Sequence, residues 1–426
     1  MKPRPMLLLT LLLLLLLAAG WPGPVPAAWS AWGLSGLSVL GLLACGRLPV
    51  RFWLGAGLLL GLIALYAWNA THEWIPGLGL LPRPHVAALP GSADPAETWQ
   101  AFRLALAALA AYALAFRLPH VQIRWLQGAA LAAAAGMALA VLFQRLGPDP
   151  SRIRSYTGIF VNENHFAVFA NLLLPVVLVM ASRARFRAVR DGRPSSPAGL
   201  VVLMAVLLAA AVVVCRSRAG VAVMTLLVAA HVGLCRRIIR QYPFVGIPPT
   251  RLAKWLAGGS VAAALAFAVR AFRAEWQQIE TIGKEWAYRS GMLKDALAAW
   301  RDRPVWGTGP GTFSTVFPFY QSELFTGRTI RHAHCEPVQF LMEFGVAGLF
   351  IAGTALVLLG TLRASRPPAA EELPGFADLE RRAFGWALAG FGLHGLIDFP
   401  LRIPLLALLA TAWAGLWVGT RPPKGG

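Results

Sequence analysis

The side chains in this sequence that can move a proton or grip a phosphate fall in a few short polar islands. The densest is Arg331-His332-Ala333-His334-Cys335-Glu336. Imidazole exchanges a proton near neutral pH, so His334 is a candidate general base for a hydroxyl group. His332 and Glu336 are placed to hold that ring or to compete for its role. A second island is Arg216-Ser217-Arg218-Ala219-Gly220, and a third centres on Arg289. The planar guanidinium fork matches phosphate oxygens. Snorkelling to a membrane surface would also explain each of these arginines. Asn162-Glu163-Asn164-His165 forms another island, read either as a helix start capped by Asn164 or as part of a site. The last is His394 and Asp398, one helical turn apart, with Arg402 just beyond. They are functional candidates inside an apolar run, or a self-satisfied pair bracing it.

Other chemistries fit poorly. The carboxylates have no paired Asp and no His-x-x-x-His beside them, so no metal site is expected. Cys45, Cys215, Cys235 and Cys335 are far apart, which argues against a disulfide framework or a zinc site. Gly307-Thr308-Gly309-Pro310-Gly311 reads as a flexible turn. No Gly-Lys-Ser/Thr follows it, so it is not a nucleotide loop.

The elements that must position these islands are membrane helices. Of 426 residues, 57% are hydrophobic and only 14% charged, which leaves too little polar surface for a soluble domain. Apolar runs of about twenty residues recur, the length that crosses a hydrocarbon core. The expected fold is an all-α polytopic membrane protein with about twelve transmembrane helices and one large loop containing short helices. Beyond a first apolar segment ending near Trp21, spans are expected at 28–45, 52–70, 99–118, 125–144, 166–182, 199–215, 219–235, 255–272, 338–362, 383–400 and 401–420. The first segment is read as a helix, although a cleaved signal peptide would look similar.

Three stretches follow: an N-terminal bundle over 1–272 with about nine spans, a loop over 273–337, and a C-terminal bundle over 338–426 with about three. In the loop, Trp276, Ile279, Trp286, Leu293, Leu297 and Trp300 recur at helical spacing. This predicts an amphipathic helix lying on the membrane interface and ended by Pro304. Arg289 borders its apolar stripe.

The net charge of +20 follows membrane orientation rather than nucleic acid, because Lys and Arg gather in alternate short loops. The richest clusters are Arg183 to Arg193, Arg236 to Lys254, and Arg363 to Arg382. The bias puts both termini in the cytoplasm and the long loop outside, which is the periplasm of a Gram-negative cell. All the polar islands then face outward.

Several stretches now resemble one family. They are Gly158-Ile159-Phe160-Val161-Asn162-Glu163-Asn164, Ser217-Arg218-Ala219-Gly220, the glycine turn running into Thr312-Phe313, Ala333-His334, Glu343-Phe344-Gly345-Val346-Ala347-Gly348, and His394-Gly395-Leu396-Ile397-Asp398-Phe399-Pro400. Their order and spacing resemble the O-antigen ligase and polymerase superfamily, across roughly Tyr156 to Leu416. Arg289 and Leu293 match the ligases' Arg-x-x-x-Leu motif. His334, nine further residues after Cys335, and Gly345 to Gly348 match a second motif. Cys335 departs from it, since the ligases carry Asn, Ser or Gln there.

The resemblance implies a glycosyltransferase of the bacterial inner membrane with no cofactor. It would move a glycan from an undecaprenyl-diphosphate carrier to a glycolipid or glycan acceptor, lipid A–core for a ligase. His334 would be the base, and Arg218 and Arg289 would hold the diphosphate. Arg216, Asn162, Asn164, His332, Glu336, His394, Asp398 and Arg402 are the candidate substrate-binding residues. The polymerase reading stays open within the class. From other classes, a small-anion transporter would need an inverted repeat, which the sequence does not show. An envelope-assembly scaffold would leave glycans unchanged.

Overall fold

Uninterrupted apolar runs satisfy their own backbone hydrogen bonds by coiling, which is what a lipid environment demands. In a computed structural model, which describes residues 5–20, 27–75, 79–146, 157–190, 196–241, 279–362 and 376–420, these runs are helices. In chain order they are α1 (Pro5–Gly20), α2 (Ala27–Ala44), α3 (Val50–Trp68), α4 (Pro95–Arg117), α5 (His120–Leu146), α6 (Glu163–Arg190), α7 (Ser196–Val214), α8 (Arg218–Gln241), α9 (Ile279–Asp302), α10 (Phe313–Val316), α11 (Glu336–Gly360), α12 (Phe376–Gly395) and α13 (Pro404–Gly419).

Six of these, α3, α4, α5, α6, α8 and α11, contain a stretch both long and apolar enough to cross a membrane, and α1, α2, α7 and α13 contain shorter apolar helices. The chain is a helical membrane protein. The span expected at 255–272 lies outside the described residues, as do Trp276 and the arginines at 152, 154, 193, 251, 363 and 366.

The last helices pack among the first. α13 lies against α4, α11 against α3, and α12 against α6. A Cβ on Gly415 would stand 2.3 Å from the Tyr112 carbonyl oxygen, so the missing side chain lets two backbones touch. Tyr112 in turn donates to the Leu359 carbonyl at 2.7 Å, joining α4 to α11.

Three local features depart from the sequence expectation. A two-stranded antiparallel hairpin, β1 (His72–Ile75) with β2 (Gly79–Pro82), interrupts the helical pattern. The spans expected back to back at 383–400 and 401–420 are shortened and set apart in the chain: α12 stops at Gly395 and α13 restarts at Pro404. Pro400 and Pro404 lack the amide donor that would continue the earlier helix. Between them the chain turns back across the bundle end.

The third departure is the large loop. Its helix α9 forms, and the face it buries in the protein is Met292, Ala296 and Ala299, with Trp300 of the stripe packed beside them. These meet Phe313, Phe317 and Phe325 in a small core that Ala93 and Met342 of the bundle complete. Trp286 is 73% exposed. The periodicity marks the helix, and the face it packs against the protein is set by aromatics that come later in the chain. Asp94 ties this unit to the bundle: its side chain accepts from the Ala96 and Glu97 amides at the start of α4 and from the Thr315 hydroxyl at 2.9 Å.

Candidate functional site

His334 lies just before α11, in the left-handed region at φ 50°. Among the described non-glycine residues, only Arg216, at φ 64°, shares that region. Such backbone is costly for a residue with a side chain and persists where surrounding contacts impose it. Both positions belong to the polar islands.

The His334 ring reaches Asp398 across the bundle end, with Nδ1 3.2 Å from Oδ1. Asp398 Oδ1 also accepts from the Phe399 amide at 3.0 Å. Burial would raise the Asp398 pKa, but the hydrogen bond from His334 and the nearby imidazoles outweigh it and hold the carboxyl below its ordinary value. An ionised carboxylate can only accept, so the proton between the two belongs on Nδ1. Nε2 is then the lone-pair nitrogen. The His334 side chain is 32% exposed against 2% for Asp398, so the histidine is the open member of the pair.

Phe399 is the hub of this arrangement. Its ring sits 4.8 Å from His334, 4.1 Å from His332 and 5.0 Å from His165, measured between centroids. Burial, then the charge of Arg402, pushes the His332 pKa down to about 4, so this second imidazole is neutral at physiological pH. It packs against the Phe399 ring.

The Arg289 guanidinium comes from α9 and donates through Nη1 to the Ile397 carbonyl at 3.1 Å. That carbonyl belongs to the residue before Asp398. Arg218 opens α8 and is exposed beside exposed Arg216. The adjoining Ser217 hydroxyl donates to Asn164 Oδ1 at 2.7 Å, next to His165 on the Phe399 ring. Residues of all five islands therefore gather at one end of the bundle.

Some expected site residues are engaged by the protein instead. Asn162 is the cap of α6, accepting from the Asn164 amide at 2.8 Å, so the cap is Asn162 rather than Asn164. His394 is fully buried, and its Nε2 lies 3.0 Å from Asn171 Nδ2, with no pairing to Asp398. The early end of α12 separates the two residues that a continuous helix would have stacked. Glu336 does not hold His334; its Oε1 accepts from the Leu401 amide at 2.8 Å. Arg402 donates to Glu343 Oε2 at 2.8 Å, and its Nε lies 3.7 Å from Glu336 Oε2, an ion pair rather than a hydrogen bond. Burial opposes the Arg402 charge, but Glu343 and then Glu336 hold its pKa above the ordinary value. These groups brace the site rather than present themselves to a ligand.

The glycine turn is fixed, not flexible. Gly307 has φ 70°, and a Cβ there would stand 2.6 Å from the Glu343 carbonyl. The Gly311 amide donates to Glu343 Oε2 at 2.9 Å, the same oxygen that Arg402 grips. Opposite, Gly345 kinks α11 at φ 62° and lets the Val346 and Ala347 amides donate to the carbonyls of Pro304 and Val305. Glu343 thus locks the turn, the start of α11 and the 396–403 crossing together.

Residues 203–353 match the family model described as O-antigen ligase. Over that stretch the chain is similar to the O-antigen ligase family. The match takes in Arg216, Arg218, Arg289, the glycine turn and His334, whereas His165, Asp398, Phe399 and Arg402 lie beyond it. The superfamily brings a ligase- or polymerase-type function on lipid-linked glycans, of the glycosyltransferase kind. No curated protein matches the chain.

Phe399 and Glu343 were quoted in the sequence motifs but were not picked as site residues, and Gln339 and Asn171 carried no local signal. Gln339 accepts from the Ala333 amide at 3.1 Å and donates to Glu343 Oε1 at 2.9 Å, so it holds the backbone next to His334. Glu343 had one cue, its place in a glycine-rich run. Phe399 had another, its place after Asp398.

Proposed function

We propose that this protein transfers a glycan from undecaprenyl diphosphate to an acceptor hydroxyl at the periplasmic face of the bacterial inner membrane. The observation that carries the reading is the His334–Asp398 pair, half-open on the histidine side, with the Arg289 guanidinium anchored one residue away at Ile397. Asp398 keeps Nδ1 protonated and Nε2 facing a reactant. Nε2 takes the acceptor hydroxyl proton as the oxygen attacks the anomeric carbon from the side opposite the leaving group. The bond from that carbon to the diphosphate oxygen breaks, with inversion, and undecaprenyl diphosphate leaves. Arg289 and Arg218 neutralise its growing charge, work that preorganised cations do without needing a further charge carrier.

This reading assumes about twelve spans with both termini in the cytoplasm, the long loop periplasmic and Arg216 beside the diphosphate. Lipid A–core is the acceptor for a ligase. A second reading, polymerase, rests on Cys335, which stands at the start of α11 and makes no side-chain cap bond. An amide or hydroxyl there would have capped the helix.

The test is direct. Purified protein in proteoliposomes receives an undecaprenyl-diphosphate oligosaccharide and an acceptor, and the glycan product and released carrier are measured. Equal release and transfer support the proposal; no transfer to either lipid A–core or a second glycan overturns it. Deletion in the cell then separates the two acceptors. Loss of all O-antigen on lipid A–core marks a ligase, and one retained repeat marks a polymerase.

A further inference from the structure

A cleft of about 230 Å³ opens beside the glycine turn, between the 69–94 segment and the residues that follow α9. Thr71, His85, Arg303, Trp306 and Gly307 are among its lining residues. Its volume falls below the roughly 300–1,000 Å³ of sites for drug-sized ligands, so it suits one small group rather than a lipid tail. Among the described residues, no carboxylate lines it. The Trp306 N–H is already given to the Ala88 carbonyl at 3.1 Å, which leaves the apolar ring as what that residue offers.

Among the described residues, no carboxylate lines the cleft beside these basic groups. Thr71 Oγ1 lies 2.9 Å from His72 Nδ1, and His85 Nδ1 lies 2.9 Å from the Arg83 carbonyl. Burial, then the charges of Arg303 and His85, holds the His72 pKa below its ordinary value. Arg303 lines the cleft, where its charge has room for an anion. The walls are also firm: Asn69 Nδ2 donates to the carbonyls of Val86, Leu89 and Pro90, and the Tyr66 hydroxyl donates to the Trp306 carbonyl.

We infer that this cleft is a glycan subsite for an acidic sugar, with the Arg303 guanidinium holding its carboxylate or phosphate substituent beside the Trp306 ring. Arg303 follows directly on the helix that carries Arg289. The fourteen residue steps from one to the other (303 − 289) span roughly 20 Å of helix rise. An oligosaccharide bridges that length and a monosaccharide does not, so the subsite reads a sugar distant from the bond being made. The inference rests on the glycosyl-transfer reading and names a feature of the glycan that reading leaves open.

The experiment measures binding rather than transfer. The full chain in detergent is titrated calorimetrically with a short oligosaccharide ending in a hexuronic acid, with the same oligosaccharide reduced at its carboxyl, and with inorganic phosphate. The acidic oligosaccharide binds, and Arg303→Ala weakens it at least about tenfold, or about 1.4 kcal/mol. Arg303→Lys restores part of the loss, and neither change alters the reduced oligosaccharide. Equal binding of the acidic and reduced forms, or acidic binding indifferent to Arg303→Ala, overturns the inference. Phosphate alone binding as tightly as the acidic oligosaccharide also overturns it, since the site would then be a plain anion hole. His334→Ala leaves this binding intact, so a failure of the transfer proposal shows separately as wild-type turnover in that variant.

Discussion

His334 Nδ1 lies 3.2 Å from Asp398 Oδ1, although 64 residues of chain separate them. The pair joins the end of the large loop to the crossing between α12 and α13. It gives the imidazole one orientation and one tautomer. Asp398→Asn removes the charge and lets the ring take the wrong tautomer. Turnover should fall about 10²-fold or more, the range of positioned general-base catalysis, with little change in acceptor KM. Steady-state kinetics in proteoliposomes check this; unchanged turnover would show that Asp398 does not direct the base.

Arg402 joins two buried carboxylates on one helix, at side-chain exposures of 13% for the arginine and 0% for Glu343. Removing one partner of such a group leaves charge stranded, at a cost of about 3–5 kcal/mol. Arg402→Ala should therefore lower the unfolding temperature in detergent markedly. Replacing Glu336 and Glu343 by Gln in the same chain should recover part of it. An unfolding temperature equal to wild type in Arg402→Ala would mean that the network is not structural.

His332 gives the site a pH dependence of known sign. Its folded pKa is pushed down to about 4 by burial and by Arg402, against an unfolded value near 6.5. Above pH 6.5 the ring is neutral in both states and nothing is lost. As pH falls from 6.5 towards 4 the unfolded chain gains a proton that the folded one refuses, so stability drops. Asp398, held below its ordinary value, loses its contribution only at still lower pH. The difference in unfolding temperature between wild type and His332→Gln should change across pH 6.5 to 4 and stay flat above. A constant difference across that window would contradict the assignment.

Much of the scaffold was legible because membrane helices announce themselves by apolar length alone. The start of α11, the spans from 166 to 235 and the islands at 216–220 and 331–336 all followed from local composition. The partners did not. His394 and Asp398 sit one turn apart in sequence, yet Gly395 ends the helix and sends Asp398 to His334, a contact with no local signal. The packed face of α9 was hidden for the same reason, since Phe313, Phe317 and Phe325 come after the helix they cover. Gly307 looked like a hinge; its closeness to Glu343 shows that the turn is glycine-rich to let two backbones meet.

The central claim is that His334 takes the acceptor proton. The measurement that meets it most directly is transfer by His334→Ala in proteoliposomes, with carrier-linked oligosaccharide, acceptor, and a matching unfolding temperature to show that the fold is intact. The account predicts turnover reduced by about 10²- to 10⁴-fold with donor binding retained. Turnover close to wild type in a folded His334→Ala protein would contradict it.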